Sequence, residues 1–115
     1  MSTPRELLEF AALALGLSGR TAELYGEDSP CFITDDDESV YAWLTDSADC
    51  ADMCAALGID TAWRTDRVNC AAFMDREIMN IARAFEKFER HSNDRSAAWR
   101  MAAVRVSAEI GSNKP

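Results

Sequence analysis

The sequence contains few of the residues and motifs on which enzymes commonly depend. It has a single histidine, His91. It has no Gly-rich phosphate loop, no paired-histidine metal motif and no serine in a Gly-flanked nucleophile turn. His91 lies in a polar stretch at the end of a predicted helix, where a histidine is more often a surface residue than a general base. We therefore expect that the protein is not an enzyme and needs no cofactor.

Long apolar runs are also missing. The longest, residues 10–15, falls far short of the roughly 20 residues that a membrane-spanning helix needs. No basic segment followed by an apolar run and a small-residue cleavage site occurs near the N-terminus, so we expect no signal peptide. A chain of 115 residues is the size of one domain. These features predict a single domain, residues 1–115, in the cytoplasm.

The four cysteines leave two interpretations open. Cys50 and Cys54 are one helical turn apart and could supply two ligands to zinc, with Cys31, Cys70 or His91 completing the set. The spacing lacks the short pairs of a zinc knuckle or ribbon. Free cysteine is among the most buried residue types, and thiols stay reduced in the cytosol. We therefore expect four buried thiols and no metal, with a zinc-bound accessory or structural protein as the alternative.

Basic residues are absent from residues 21–63, which carry eleven acidic residues, whereas residues 64–115 carry ten basic and seven acidic ones. The net charge of the chain is −8. An acidic surface repels nucleic acid and membranes and attracts basic protein surfaces. We therefore expect a protein partner with a basic surface, and neither direct nucleic-acid binding nor membrane binding. The alternative is a solvated face that only keeps the protein soluble. The charge asymmetry would also allow a homodimer.

Apolar periodicity and capping residues predict four helices. Thr3 and Glu6 form a capping box before the first helix, and Asp46 and Gly58 are typical of the start and end of the second. A long apolar stripe from Met74 to Phe88 predicts the third, and Gly111 is predicted to end the fourth. The four predicted helices are residues 4–15, 47–57, 74–90 and about 94–111.

Short apolar runs predict strands between these helices. Residues 31–34 and 40–43, joined by an acidic connection, predict a β-hairpin, and residues 59–63 and 68–73 predict two further strands. Residues 17–30 are predicted to be a loop, because glycine, serine and proline interrupt them. Residues 112–115 are predicted to fray. The sequence therefore predicts an α+β fold, a single small domain of about four helices with a small antiparallel sheet.

Three segments carry a resemblance to a known group of proteins. Residues 41–59 begin with an aromatic residue and continue through Leu44 and an acidic cluster into a helix that ends in Leu57-Gly58. Residues 96–111 are rich in alanine and arginine. Together with residues 6–12 they resemble small proteins encoded by tailed phages and prophages. In that group Asn-Pro stands where this chain has Ala42-Trp43. The resemblance implies a phage origin and a small α+β fold, and carries over no catalytic residue.

Small acidic phage proteins often bind and block host machinery, including CRISPR effectors. We therefore hypothesise that the protein inhibits a host defence or nucleic-acid-handling complex in the bacterial cytoplasm, as a nucleic-acid mimic would. Two aromatic residues near the acidic segment would serve as anchors, because tyrosine and tryptophan are enriched at binding hot spots. Since alternate strand residues point to opposite faces, we expect at least one of the two to be a core residue of the strand instead. The residues predicted to contact the partner are Asp35, Asp36, Asp37, Glu38, Asp46, Asp49, Asp52, Tyr41 and Trp43.

Overall fold

The computed structural model of the protein describes residues 2–24, 26, 28–73 and 81–113. Within them, the chain forms three α-helices, one short 3-10 helix and two antiparallel sheets of three strands each. The helices are α1 (Pro4–Ala14), α2 (Ser47–Leu57) and α3 (Arg95–Ser112), and the 3-10 helix is Phe88–His91. The first sheet contains β1 (Gly19–Ala22), β2 (Cys31–Thr34) and β3 (Val40–Tyr41) in that order. The second contains β4 (Asp60–Trp63), β5 (Arg67–Phe73) and β6 (Ile81–Lys87).

The mixture of helices and antiparallel strands confirms the predicted α+β class. The helix count differs, because the described residues contain three α-helices rather than four. Thr3 and Glu6 form the predicted capping box of α1, and Asp46 caps α2 through its side chain. Gly58 follows α2 with a φ of 68°, in the left-handed region that glycine tolerates best. The capping signals therefore located these helix ends correctly.

The predicted helix over residues 74–90 is wrong where the structure describes the chain. Residues 81–87 form β6, which pairs with β5 from Arg67↔Lys87 to Phe73↔Ile81, and the 3-10 helix follows. The remainder of the prediction, residues 74–80, lies outside the described residues. Strand pairing alternates the side chains between two faces, so the apolar residues that would form one helical stripe are divided between both faces of the sheet.

The predicted loop over residues 17–30 is also partly wrong, because it contains β1. This strand pairs with β2 from Gly19↔Thr34 to Ala22↔Cys31. A Cβ atom on Gly19 would lie 2.0 Å from the carbonyl oxygen of Ile33, so only glycine fits there without rearrangement. The predicted β2–β3 hairpin is present, although β3 ends at Tyr41 instead of residue 43.

The last helix differs from the prediction at its C-terminal end. It continues through Gly111 to Ser112, where the sequence predicted a stop at the glycine. Gly111 instead lies where α3 crosses α1, and a Cβ atom there would overlap the backbone of Phe10. Ser112 is therefore helical rather than frayed. Residues 114–115 of the predicted tail lie outside the described residues.

Helix α3 is the central element of the domain. It packs against α1 on one side, against β5 and β6 on another, and contacts the shorter α2. The core combines Leu8 of α1, Trp43, Met53 of α2, Val68 of β5 and Val104 of α3, each at most 2% exposed. No helix in the described part of the chain combines the length and hydrophobicity that crossing a membrane requires.

Candidate functional site

The four consecutive acidic residues at positions 35–38, here called the acidic turn, join β2 to β3 and are all exposed. The hydroxyl of Thr34 donates a hydrogen bond of 2.6 Å to Asp37 Oδ1, and the backbone N–H of Ser39 donates one of 3.1 Å to the same oxygen. The backbone N–H of Asp37 donates to Asp36 Oδ1 at 2.9 Å. Among the described residues, no basic side chain forms an ion pair with the acidic turn. The turn therefore holds uncompensated negative charge in a defined geometry.

These hydrogen bonds also keep Asp37 ionised in acid. The pKa of Asp37 is lowered to about 2, mainly by the side-chain hydrogen bond from Thr34 and then by hydrogen bonds from Ser39. Donors that point at a carboxylate favour its charged form. Asp37 therefore keeps its charge at pH values where an ordinary aspartate is protonated.

The other acidic residues predicted to bind a partner lie at the start of α2 or within it. Asp46 is the N-cap of α2, and Asp49 Oδ2 accepts a hydrogen bond of 2.9 Å from the backbone N–H of Ala42. Asp52 is exposed on α2. Asp46 and Asp49 therefore have structural roles at the start of α2.

The two predicted aromatic anchors differ in exposure. Trp43 is only 1% exposed, and its ring stacks between those of Phe32 and Tyr41, with centroid distances of 5.9 Å and 5.5 Å. Trp43 therefore fills the core next to the hairpin, which leaves little of its side chain for contact with a partner. Tyr41 is half-buried, so part of its side chain remains at the surface beside the hairpin.

The four cysteines are free thiols, and all are buried. Burial raises the pKa of Cys70 to about 11 and is also the main reason that the pKa of Cys31 is raised. The neighbouring Cys54 thiol, together with burial, raises the pKa of Cys50. The hydrogen bond with Cys50 instead lowers the pKa of Cys54. Within the described part of the chain, no three His, Cys, Asp or Glu side chains are grouped so that they could hold a metal ion. Cys31, Cys50 and Cys70 are therefore weakly nucleophilic core residues, and Cys54 is protected by its burial.

A cleft that the sequence did not predict lies beside β6. It has a volume of about 870 Å³, and the described residues of its lining include three arginines, one glutamate and several apolar residues. Strand β6 is at the edge of its sheet, and the cleft extends from this strand to α3. We call it the β6 cleft. Its described lining includes Ile81, Arg83, Phe85, Arg90, Arg105 and Glu109.

A buried ionic cluster joins the three elements around the β6 cleft. Glu86 of β6 is 5% exposed. Its Oε1 lies 2.8 Å from His91 Nε2 in the 3-10 helix, and its Oε2 accepts a hydrogen bond of 2.5 Å from Arg105 of α3. His91 is thus mostly covered rather than a surface residue, since its side chain is 18% exposed. Because a buried carboxylate needs such partners, this cluster holds the Arg105 guanidinium at the wall of the cleft.

The sequence contained only a weak signal for this site. On a helix, Glu86 would face Arg90 one turn later and form an ordinary surface pair. In the observed strand, Glu86 instead lies opposite Val68 on the face that packs against α3. Its partner Arg105 is 19 positions away in the sequence. Local spacing could not have revealed that contact.

No protein-family model, curated protein or solved structure matches this chain. Its function must therefore be inferred from its own residues.

Proposed function

We propose that this protein is a protein–protein interaction module that binds a basic surface of its partner through the acidic turn. The observation that carries the proposal is the exposure of four consecutive carboxylates on a turn fixed by hydrogen bonds, none of them in an ion pair among the described residues. Preorganised charge loses little conformational entropy on binding. It also accelerates the encounter with a surface of opposite sign.

In its specific form, the proposal takes the partner to be a bacterial defence or nucleic-acid-handling complex whose basic groove is blocked by the acidic turn. This form is supported by the charge pattern, since such grooves are built to attract phosphates. The phage origin that the three segments of the sequence imply is part of this form of the proposal. Tyr41, which is half-buried beside the hairpin, would add an aromatic contact near the charged one.

The test is an affinity capture from bacterial lysate with two variants of equal net charge. The first carries Asp35→Asn, Asp36→Asn, Asp37→Asn and Glu38→Gln, substitutions that keep an oxygen for the hydrogen bonds of the turn. The matched control removes four exposed carboxylates elsewhere: Glu9→Gln, Asp28→Asn, Asp60→Asn and Glu89→Gln. We expect one host complex to be retained by the parent chain and by the control, and to be lost by the first variant.

The captured complex is then purified, and its affinity is measured at about 50 mM and about 300 mM salt. We expect the turn variant to weaken binding at least about tenfold, equivalent to about 1.4 kcal/mol, and salt to weaken the parent's binding steeply. Equal loss in both variants would show that net charge alone is responsible. Capture that neither variant changes would refute the proposed role of the acidic turn.

A further inference from the structure

Strand β6 lies at the edge of its sheet with one side of its backbone open. It pairs with β5 along its whole length, and in the described part of the chain no strand pairs with its other side. It has seven residues, whereas the edge strands β1 and β4 have four each and β3 has two. An edge of this length offers a row of N–H and C=O groups to another strand.

The hydrogen bonds of β5 show which backbone groups of β6 are open. The N–H of Phe88 donates to the C=O of Asp66 at 3.0 Å, one position beyond the pair Arg67↔Lys87. Because hydrogen-bonded pairs alternate with non-hydrogen-bonded ones in an antiparallel ladder, the even-numbered residues of β6 bond to β5. The N–H of Arg64 in turn donates to the C=O of Arg67 on the β4 side, which fits the same alternation. The β6 residues whose N–H and C=O groups point to the free edge are therefore Ile81, Arg83, Phe85 and Lys87.

The side chains of these residues lie on the outer face of the sheet. Ala82 and Glu86 are buried on the face that packs against α3, so alternation places Arg83 and Phe85 on the opposite face. Arg83 is exposed there, and Phe85 is 45% exposed although the guanidinium of Arg67 lies 4.7 Å from the centre of its ring. An incoming strand would thus meet open backbone groups together with basic and apolar side chains.

We propose that β6 pairs with β6 of a second copy of this chain. The two strands run antiparallel about a two-fold axis at Ala84, and the two three-stranded sheets join into one continuous sheet. Arg83 of each protomer then lies opposite Phe85 of the other, and Ile81 lies opposite Lys87. All four open residues of each strand gain partners, which amounts to about eight backbone hydrogen bonds across the axis.

The side chains favour a second copy in this register over the neighbouring registers. An axis at Arg83 would place this arginine opposite itself, and an axis at Phe85 would place Arg83 opposite Lys87. Like charges directly opposite each other destabilise a strand pair. The axis at Ala84 avoids both contacts and sets a guanidinium beside an aromatic ring, a favourable cation–π arrangement. The strand is therefore complementary to itself, as a two-fold interface requires.

The surroundings of β6 leave room for the second strand. The β6 cleft, of about 870 Å³, is open space beside the strand. Ala84 carries a small side chain at the axis, where opposite Cα atoms approach to about 4.5 Å. The acidic turn lies in the other sheet, between β2 and β3, so this proposal does not depend on the proposed partner.

Sedimentation equilibrium of the full chain between about 1 μM and about 1 mM should show a monomer–dimer equilibrium. Phe85→Lys should raise the Kd of the dimer at least about tenfold, because it places a like charge opposite Arg83 at two symmetric positions. Phe85→Glu removes the same ring but offers Arg83 an opposite charge, so the Kd should stay within about threefold of the parent's. Val40→Lys and Val40→Glu are the matched controls, since Val40 is also 45% exposed and belongs to an edge strand of the other sheet.

Hydrogen exchange measured by NMR tests the paired edge without any substitution. In concentrated protein, the amides of Arg83 and Phe85 should exchange at least about tenfold more slowly than in dilute protein, because dimerisation closes their N–H groups. The amides of Ala82 and Glu86, which bond to β5 in either state, should change much less. Ala84→Cys should form a disulfide-linked dimer on oxidation with diamide, whereas Val40→Cys should not.

A chain that stays monomeric up to about 1 mM would overturn the proposal. A dimer that Phe85→Lys leaves unchanged, or that the Val40 variants weaken as strongly, would overturn the assignment to β6. Equal weakening by Phe85→Lys and Phe85→Glu would overturn the register. The acidic-turn variant, Asp35→Asn, Asp36→Asn, Asp37→Asn and Glu38→Gln, should still dimerise, so failure of one proposal is distinguishable from failure of the other.

Discussion

Replacing Gly111 by alanine should destabilise the domain, although the same change stabilises most helices. Gly111 lies inside α3, where alanine is normally favoured over glycine by about 1 kcal/mol. Here, however, a Cβ atom would lie 1.7 Å from the carbonyl oxygen of Phe10 and 3.1 Å from the backbone nitrogen of Ala14. Both neighbours belong to the backbone of α1, so no side-chain rotation relieves the overlap. The two helices must move apart by more than about 1 Å.

That movement disturbs the most extensive helix contact in the domain. Leu8 and Ala11 of α1 are fully buried, and a gap of about 1 Å forfeits up to about half of the dispersion energy of the contacts that it opens. Overpacking of a core typically costs about 1–3 kcal/mol and occasionally more. After the gain in helix propensity is subtracted, we expect Gly111→Ala to lower the free energy of unfolding by about 2 kcal/mol. For a domain of this size, the melting temperature should fall by about 8 °C.

Urea denaturation followed by circular dichroism measures this change, and a thermal melt provides an independent value. The control is Ser112→Ala, an exposed neighbour on the same helix, whose effect should stay within about 0.5 kcal/mol. A Gly111→Ala variant as stable as the parent, or more stable, would refute the inferred close approach of α1 and α3.

Three further perturbations test other parts of the structure. Asp46→Ala should lower stability by about 1 kcal/mol in urea denaturation, because two backbone N–H groups of α2 lose their acceptor, whereas exposed Asp52→Ala should change it little. Thr34→Val should raise the pKa of Asp37 from about 2 towards its ordinary value, as measured in an NMR titration. In the parent chain, the pKa of Asp37 is lower in the folded state than in the unfolded state. The stabilisation by Asp37 is therefore present above about pH 4 and lost as the pH falls to about 2. A water-soluble thiol reagent at pH 8 should leave the native chain unlabelled, because all four thiols are buried, and should label four thiols in urea. Rapid labelling of the native protein would contradict the buried positions of the thiols.

Features set by neighbouring residues in the sequence could be predicted correctly. The capping box at Thr3 and Glu6 and the N-cap at Asp46 involve contacts within three positions, so their signals are local. The strands β2 and β4 also followed from short apolar runs between turn signals. The acidic turn is visible in the sequence as four consecutive carboxylates, and its position between two strands followed from the hairpin.

Features set by distant residues could not be predicted in the same way. Gly111 carries the usual signal of a helix end, but its absence of a side chain serves the packing of α3 on α1. The predicted strand over residues 40–43 left open which of its two aromatic residues faces the core, and ring stacking with Phe32 places Trp43 there. In both cases the deciding contact is made by an element at least nine positions away in the sequence. Tertiary packing then overrides what local spacing indicates.

Strand β6 departs from local rules in a manner that connects the failed helix prediction with the β6 cleft. A strand with one buried face usually turns its apolar residues inward and its charged residues outward. In β6, Glu86 is buried while Phe85 is 45% exposed, so the usual order is reversed at two adjacent positions. Natural sequences tend to break local rules where function requires it. The buried glutamate holds Arg105 at the wall of the cleft. Phe85 lies on the opposite face of the sheet, where the guanidinium of Arg67 stacks 4.7 Å from the centre of its ring. The acidic turn, by contrast, follows ordinary turn chemistry, and its role as a partner site rests on charge alone.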